Sequence, residues 1–399
     1  MRTGLRAIVA PGQMASMAIH FELSEFARRL KRTQAAMGEA GLDAMLLFAQ
    51  ESMYWLTGYD TFGFCFFQCL VLKADGGMTL LTRAADLRQA QHTSIIDDIR
   101  LWVDRADATP AAQLRELCRN LGLTGKRLGI EYDTHGLTAA NGRAVDTAFA
   151  GFATLADASR LVPKLRVVKS IAEIAYARKA AELADRALAA GLAVIRSGAD
   201  EADVLAAMQG SILKDGGDYP GNGFILGSGP DALLCRYKTG RRKLDADDQI
   251  TLEFAGVWRQ YHAALMRTVV VGRPRKRHLE LQEAAEAALA AVEEAMRPGR
   301  TFGEVFDAHA REMDARGLAP HRLNACGYSL GARFAPSWME WPMFYAGNPE
   351  PIVPDMVLFA HMILMDSDSE TALCLGRTYL TTAAAPQPLS AAPLALQVR

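Results

Sequence analysis

Two apolar runs, Gln249 to Ala255 and Tyr261 to Val271, are separated by a short turn and read as the strands of a hairpin. Only one acid lies within them. Leu252 and Phe254 flank Glu253, so strand alternation puts Glu253 on the face opposite both. An ionisable group in so apolar a strand either faces solvent or has work to do. A rigid sheet is where a hydrolase can hold inward-facing catalytic groups.

Elsewhere the pattern divides the chain into two unequal halves. In the first, Ser24 to Ala40 predicts a helix with a Ser24 cap, an early Glu25 and a closing Gly41, and Ala44 to Phe48 a short strand. Gln68 to Lys73 and Met78 to Thr82 form a hairpin around Asp75-Gly76-Gly77. Ala111 to Leu121 is a helix, Arg127 to Glu131 a strand, and Ala139 to Phe149 with Phe152 to Ala156 a further α/β unit. This half is a small α/β domain.

Leu161-Val162-Pro163-Lys164 breaks the pattern before a long helix from Ile171 to Ile195, which Gly198 ends. Asp200 caps a second helix reaching Lys214, and Gly227-Ser228-Gly229-Pro230 makes a loop before the hairpin. Helices over His278 to Met296 and Phe302 to Arg316 follow, then strands over Val357 to Met365 and Thr371 to Thr381. Helix pair, strand pair, helix pair, strand pair is an internal duplication. The Ala/Pro-rich tail from Ala383 to Arg399 has no periodic pattern and is expected to pack loosely.

Composition narrows the function. The chain has 399 residues, 50% hydrophobic and 22% charged, which is ordinary for a globular protein of two or three domain-sized units. A net charge of -1 and a pI of about 6.7 give no global pull toward nucleic acid or anionic membrane, leaving a small-molecule substrate as the expected partner. The longest apolar runs, such as Met356 to Met365, fall short of the roughly 18 residues that span a bilayer. Arg2 and Arg6 precede no sustained apolar stretch, so a cytoplasmic location is expected. Cys65, Cys69, Cys118, Cys235, Cys326 and Cys374 show no zinc-ribbon or redox spacing and read as reduced core thiols.

The order of elements, with Lys169-Ser170 before Glu173-Ile174, the Gly227-Ser228-Gly229-Pro230 loop and Tyr261 leading into Arg267-Thr268-Val269, resembles the pita-bread superfamily of creatinase, prolidase and Xaa-Pro aminopeptidase. The resemblance implies an α+β fold: an N-terminal creatinase-like α/β domain over residues 1–163, a pita-bread catalytic domain over 164–382 and a tail over 383–399. It also implies a homodimer with shared sites. Peptidases of that superfamily hold two cations with two aspartates, a histidine and two glutamates. Matched to those positions, this chain carries Phe254, Ala264 and Tyr328, with His361 near the first glutamate and Arg377 near the second. The resemblance therefore points to the metal-free branch, with no cofactor.

Within that branch, creatinase's loop histidine falls where this chain reads Cys235-Arg236-Tyr237-Lys238, and its carboxylate-gripping arginine falls in the arginine-free run Phe62 to Phe67. The segments Ala232 to Lys238, Leu252 to Gly256, Arg259 to His262 and Gly327-Tyr328-Ser329-Leu330-Gly331 are more similar to ectoine hydrolases. Ala335-Pro336-Ser337-Trp338-Met339-Glu340-Trp341 keeps only part of their following stretch. The implied activity is metal-independent hydrolysis of a C–N bond in a small amidine or guanidine compound. The alternatives are an Xaa-Pro metallopeptidase and a catalytically silent binding homologue.

In that chemistry Glu253 would hold the delocalised cation and then attack the electron-poor carbon or activate a water against it. His262 and His361 are candidates for proton transfer to the leaving nitrogen, or are core histidines. Tyr328 either donates to developing charge or fills space vacated by metals. Arg236 would bind a substrate carboxylate or pair with Asp231. Tyr237, Trp258, Tyr261 and Trp338 are candidate substrate contacts, aromatic faces for a cation or core packing. Tyr54 and Phe64 are expected, from the resemblance, to reach a partner subunit's cavity.

Overall fold

The computed structural model describes residues 18–237, 240 and 242–399; Arg2, Arg6 and Lys238 lie outside them. The chain divides into two compact units, 1–166 and 167–399, so the junction falls just past the expected residue 163.

The first unit is a six-stranded mixed sheet with helices. In chain order it contains α1 (Leu23–Glu39), β1 (Ala44–Leu47), α2 (Gln50–Thr57), β2 (Cys69–Lys73), β3 (Met78–Arg83), α3 (Leu87–Thr93) and β4 (Asp98–Trp102). Then come α4 (Pro110–Asn120), β5 (Arg127–Ile130), α5 (Ala139–Phe149), β6 (Thr154–Asp157) and α6 (Leu161–Arg166), and the strand order is β4-β3-β2-β1-β5-β6. Ser24 does not cap α1: Glu22 holds the extended cap conformation, and Ser24 falls inside the first turn. The helix α2 escapes the sequence pattern because all of its residues are buried, so it has no polar face to give a helical period. Its start is tied down by the buried Glu131 carboxylate, which accepts from the amides of Phe48 and Ala49 and from the Ser52 hydroxyl.

The second unit opens with α7 (Ile171–Val194), whose Ser170 and Glu173 form a reciprocal capping box, and α8 (Glu201–Lys214), capped by Asp200. There follow β7 (Ile225–Ser228), β8 (Asp248–Trp258), β9 (Tyr261–Val271), α9 (Lys276–Ala295), α10 (Phe302–Ala315), β10 (Gly327–Ser329), β11 (Glu340–Met343), β12 (Val357–Asp366) and β13 (Thr371–Leu380). The sheet order is β11-β10-β12-β13-β9-β8-β7. The duplicated sequence of helix pair and strand pair is present, and the two hairpins meet where β9 pairs with β13.

Arg259 and Gln260, both at positive φ, make a two-residue turn that pairs Trp258 with Tyr261 and so fixes every pairing back to Asp248 and Val271. The Asp218 carboxylate accepts from the Gln260 amide and steadies that turn. Among the described residues, α7, α9 and α10 pack on one face of the sheet. A Cβ on Gly256 would lie 2.0 Å from the Ala180 carbonyl of α7, and α9 and α10 pack on Leu358, Ala360, Met362 and Leu364 of β12. By strand parity all of these lie opposite Glu253.

The tail is not loosely packed. Gln387–Pro388 (β14) pairs with β13, and Gln397–Val398 (β15) runs parallel to β9. The reason is Arg267, which is 1% exposed and has carbonyls rather than a carboxylate as partners. It donates to Met266 and Gly376 in the sheet and to Ala392 and Pro393 in the tail, at 2.7–3.2 Å. Burial holds its pKa down at about 10. Deleting residues 387–399 would strip two of those acceptors from a buried cation. The expected cost is roughly 3 kcal/mol or more, read as a lowered urea midpoint, and an unchanged midpoint would contradict the clamp.

Candidate functional site

Side chains that are direct partners across a sheet share a face, so the register assembles the site. Glu253 pairs with Met266, Met266 with Gly376, and Gly376 with His361. The next row on the same face runs Ala255, Ala264, then Thr378, Phe359 and Tyr328. On the other side lie Thr251, Thr268, Cys374 and Ile363. Gly376, rather than Arg377, stands across from His361, and a Cβ there would come within 2.7 Å of the Phe359 ring. Arg377 turns away and donates to the Ala392 carbonyl.

Glu253 is the one acidic side chain among these positions, and it lines a narrow cleft that opens to solvent. Around it are Cys235, Thr251, Met266, Ile363, Met365 and Cys374. Withdrawal from water raises its carboxyl to about 7, and the nearby Arg236 guanidinium pulls partly the other way. Arg236 itself is exposed, three residues past a short 3-10 turn over Gly229–Leu233.

Tyr328 is buried, with its hydroxyl accepting from Trp338 Nε1 at 2.9 Å. Burial and the Glu253 charge both drive its phenol well above its usual pKa, so it stays a neutral donor. Since an indole N–H can only donate, the phenol proton is left for another acceptor. The His361 ring lies 5.8 Å from that of Tyr328. Burial, with the charges of His309 and Arg236, lowers His361 to about 3, so it is neutral at ordinary pH.

The structure does not gather all the expected residues here. His262 shares the Glu253 face, but its Nε2 accepts from the Gly221 amide at 2.9 Å, which assigns its proton to Nδ1 and gives the ring a loop-holding role. Trp258 and Tyr261 are corrected outright, because strand parity turns them to the helix-covered face. Trp258 is packed near Lys179 of α7, and Tyr261 donates to Glu173 at 2.7 Å. Tyr237 is half-buried, and its hydroxyl lies on Gly240 beside Glu201. Tyr54 and Phe64 belong to the first unit and are buried; the Tyr54 hydroxyl meets His20 Nδ1 at 2.8 Å. Sequence reasoning missed Met266, Ile363, Met365 and Cys374, though their parity with Glu253 was the available signal.

The chain resembles known proteins in both sequence and fold. Residues 175–383 match the model of metallopeptidase family M24, and residues 29–168 that of the creatinase/prolidase N-terminal domain. The chain is 27% identical over 370 residues to the ectoine hydrolase of Halomonas elongata, covering 88% of this chain and 91% of that one. It is 26% identical over 392 residues to an uncharacterized hydrolase/peptidase, y4tM, of Sinorhizobium fredii, covering 96% and 99%. Among solved structures, the dipeptidase PepE of Mycobacterium ulcerans superposes with a TM-score of 0.82 at 25% identity, covering 95% and 99%.

A metallopeptidase site needs clustered donors. Among the described residues no three His, Cys, Asp or Glu side chains converge as a ligand set, and the sheet face offers one carboxylate amid Met266, Ala264, Phe359 and Gly376. These residues do not fit a pair of bridged cations.

The raised Glu253 pKa predicts a stability effect. An acid that titrates at about 4.5 unfolded and about 7 folded binds more protons in the folded state across that window. Stability is therefore lost as pH rises through it. Glu253→Gln removes the loss, so the variant should exceed the parent by roughly 2 kcal/mol at pH 8 and by little at pH 5. Urea unfolding at both pH values checks this, and equal stabilities at pH 8 would place Glu253 in bulk solvent.

Proposed function

Because the chain belongs to metallopeptidase family M24, we propose that it is a hydrolase of that fold that works without metal, opening a C–N bond in a small amidine or guanidine compound, as an ectoine hydrolase does. Its two-domain α+β fold is that of the creatinase/prolidase group. One observation carries the reading: a lone carboxylate, raised to about 7, lies in an apolar cleft where the family's peptidases would gather charged ligands.

An amidinium is a planar cation, and ionised Glu253 attracts it by charge-assisted hydrogen bonds. The cation in turn favours ionisation of Glu253. A water lodged beside the carboxylate loses a proton to Glu253 as its oxygen bonds to the amidine carbon. Glu253 then returns that proton to the departing nitrogen, the C–N bond breaks, and the hydroxyl proton of the tetrahedral adduct passes through Glu253 to the freed amine, so that amidinium and water become an amide and an ammonium. A pKa near the working pH suits these transfers. His361, neutral and hard to protonate, is a poor proton carrier. Tyr328, its oxygen already engaged by Trp338, directs its own proton toward the substrate. Arg236, at the exposed mouth, would take a substrate carboxylate.

Glu253→Gln should lower kcat/KM about 10²- to 10⁴-fold with the fold retained. For the parent, kcat/KM should climb with pH and level off above about 7, because the base must be ionised in the free enzyme. Turnover should survive dialysis against EDTA. The dipeptidase likeness supplies the rival: if Gly-Pro is cleaved, EDTA stops it and Mn²⁺ restores it, the chain is a metallopeptidase and the proposal is wrong.

A further inference from the structure

The cleft's walls carry information beyond the reaction type. Apart from Glu253, the lining side chains are hydrocarbon, thioether or thiol, with one hydroxyl, that of Thr251. That hydroxyl is already directed at backbone, lying 3.4 Å from the Gly227 carbonyl and 3.3 Å from the Ala232 carbonyl. The two thiols are poor hydrogen-bonding partners, and burial is the leading cause that keeps both Cys235 and Cys374 protonated. Met266 stands directly across from Glu253, and Ile363 lies beside Cys374 on the same face.

A substrate held at Glu253 by its cationic end therefore lays the remainder of its body on Met266, Ile363 and Met365. None of these three can donate to or accept from a hydroxyl, so one carried on the part of the substrate that lies against them would leave its water partners and find no replacement there.

Resting on the proposed function, we infer that the cleft selects amidinium substrates whose ring carries no hydroxyl over congeners bearing one, with Met266, Ile363 and Met365 as the specificity-determining residues. The selectivity has a ceiling. Apolar walls discriminate only moderately against an added hydroxyl, so the preference should be about 10- to 100-fold.

The test compares kcat/KM for ectoine and hydroxyectoine with the full chain. The parent should prefer ectoine by that factor. Ile363→Thr, and independently Met365→Gln at the half-buried rim, should narrow the ratio by supplying a partner, while Ile363→Val, which changes volume alone, should keep it. Equal kcat/KM in the parent, or a ratio that neither polar variant moves, overturns the inference and leaves the hydrolase reading standing. Binding is followed separately by alkylation of Cys235, which is half-buried in the cleft wall, with exposed Cys65 as the internal control. Ectoine should protect Cys235 at lower concentration than hydroxyectoine. If neither compound is turned over and neither protects Cys235, the proposed function fails, and the selectivity falls with it.

Discussion

The site depends on a count of residues in one turn. With two residues between Trp258 and Tyr261, the long strands pair so that Glu253 and Met266 face away from the helices, and the row continues through Gly376 to His361. One residue more or less, absorbed as a slip, would send Glu253 into the helix side and bring Leu252 and Phe254 out. The turn is not cheap: Arg259 and Gln260 both hold left-handed backbone, at about 1–2 kcal/mol each for ordinary side chains. Close approach of α7 to Gly256 closes the alternative register, since any side chain brought there would strike the Ala180 carbonyl.

Putting a carboxylate on that face has an electrostatic consequence that shapes everything near it. Burial resists the charge, and Arg236 at the mouth is the nearest relief. The same low-dielectric surroundings keep the Tyr328 phenol and the Cys235 and Cys374 thiols protonated and His361 neutral. Each protonation state follows from one condition, an apolar face with one acid and one exposed cation near it. A cationic ligand is the species such a face lacks. It would relieve the Glu253 desolvation without adding a second negative charge.

Much of the fold was legible because its elements are long and periodic. The hairpin strands, the paired helices and the duplication follow from apolar periods and from the Asp200 cap. The position of Glu253 opposite Leu252 and Phe254 was legible for the same reason, since parity is local. What failed was of two kinds, parity left unapplied and contacts made at a distance. Trp258 and Tyr261 are aromatic and close in sequence to Glu253, yet parity turns both to the helix side, and their chemistry alone does not report that. The tail carries no period because it is held from outside itself, by Arg267 and Arg377 reaching its carbonyls. Entirely buried α2 gave no amphipathic signal.

Trp338 shows how a residue can matter to a site by direction rather than contact. Its indole has one polar hydrogen and no acceptor, so its bond to Tyr328 leaves no choice about which group donates. Its own amide is held by the Asn222 side chain, and the neighbouring Gly221 amide by His262. The three links tie residues 221–222, the end of β9 and the strand carrying Tyr328 into one buried network. Within it, His262 keeps its Nε2 as an acceptor, and a protonated ring would break the bond to Gly221. His262 therefore bears on Tyr328 at one remove: its Nε2 holds the loop whose Asn222 holds Trp338, and Trp338 fixes the oxygen of Tyr328.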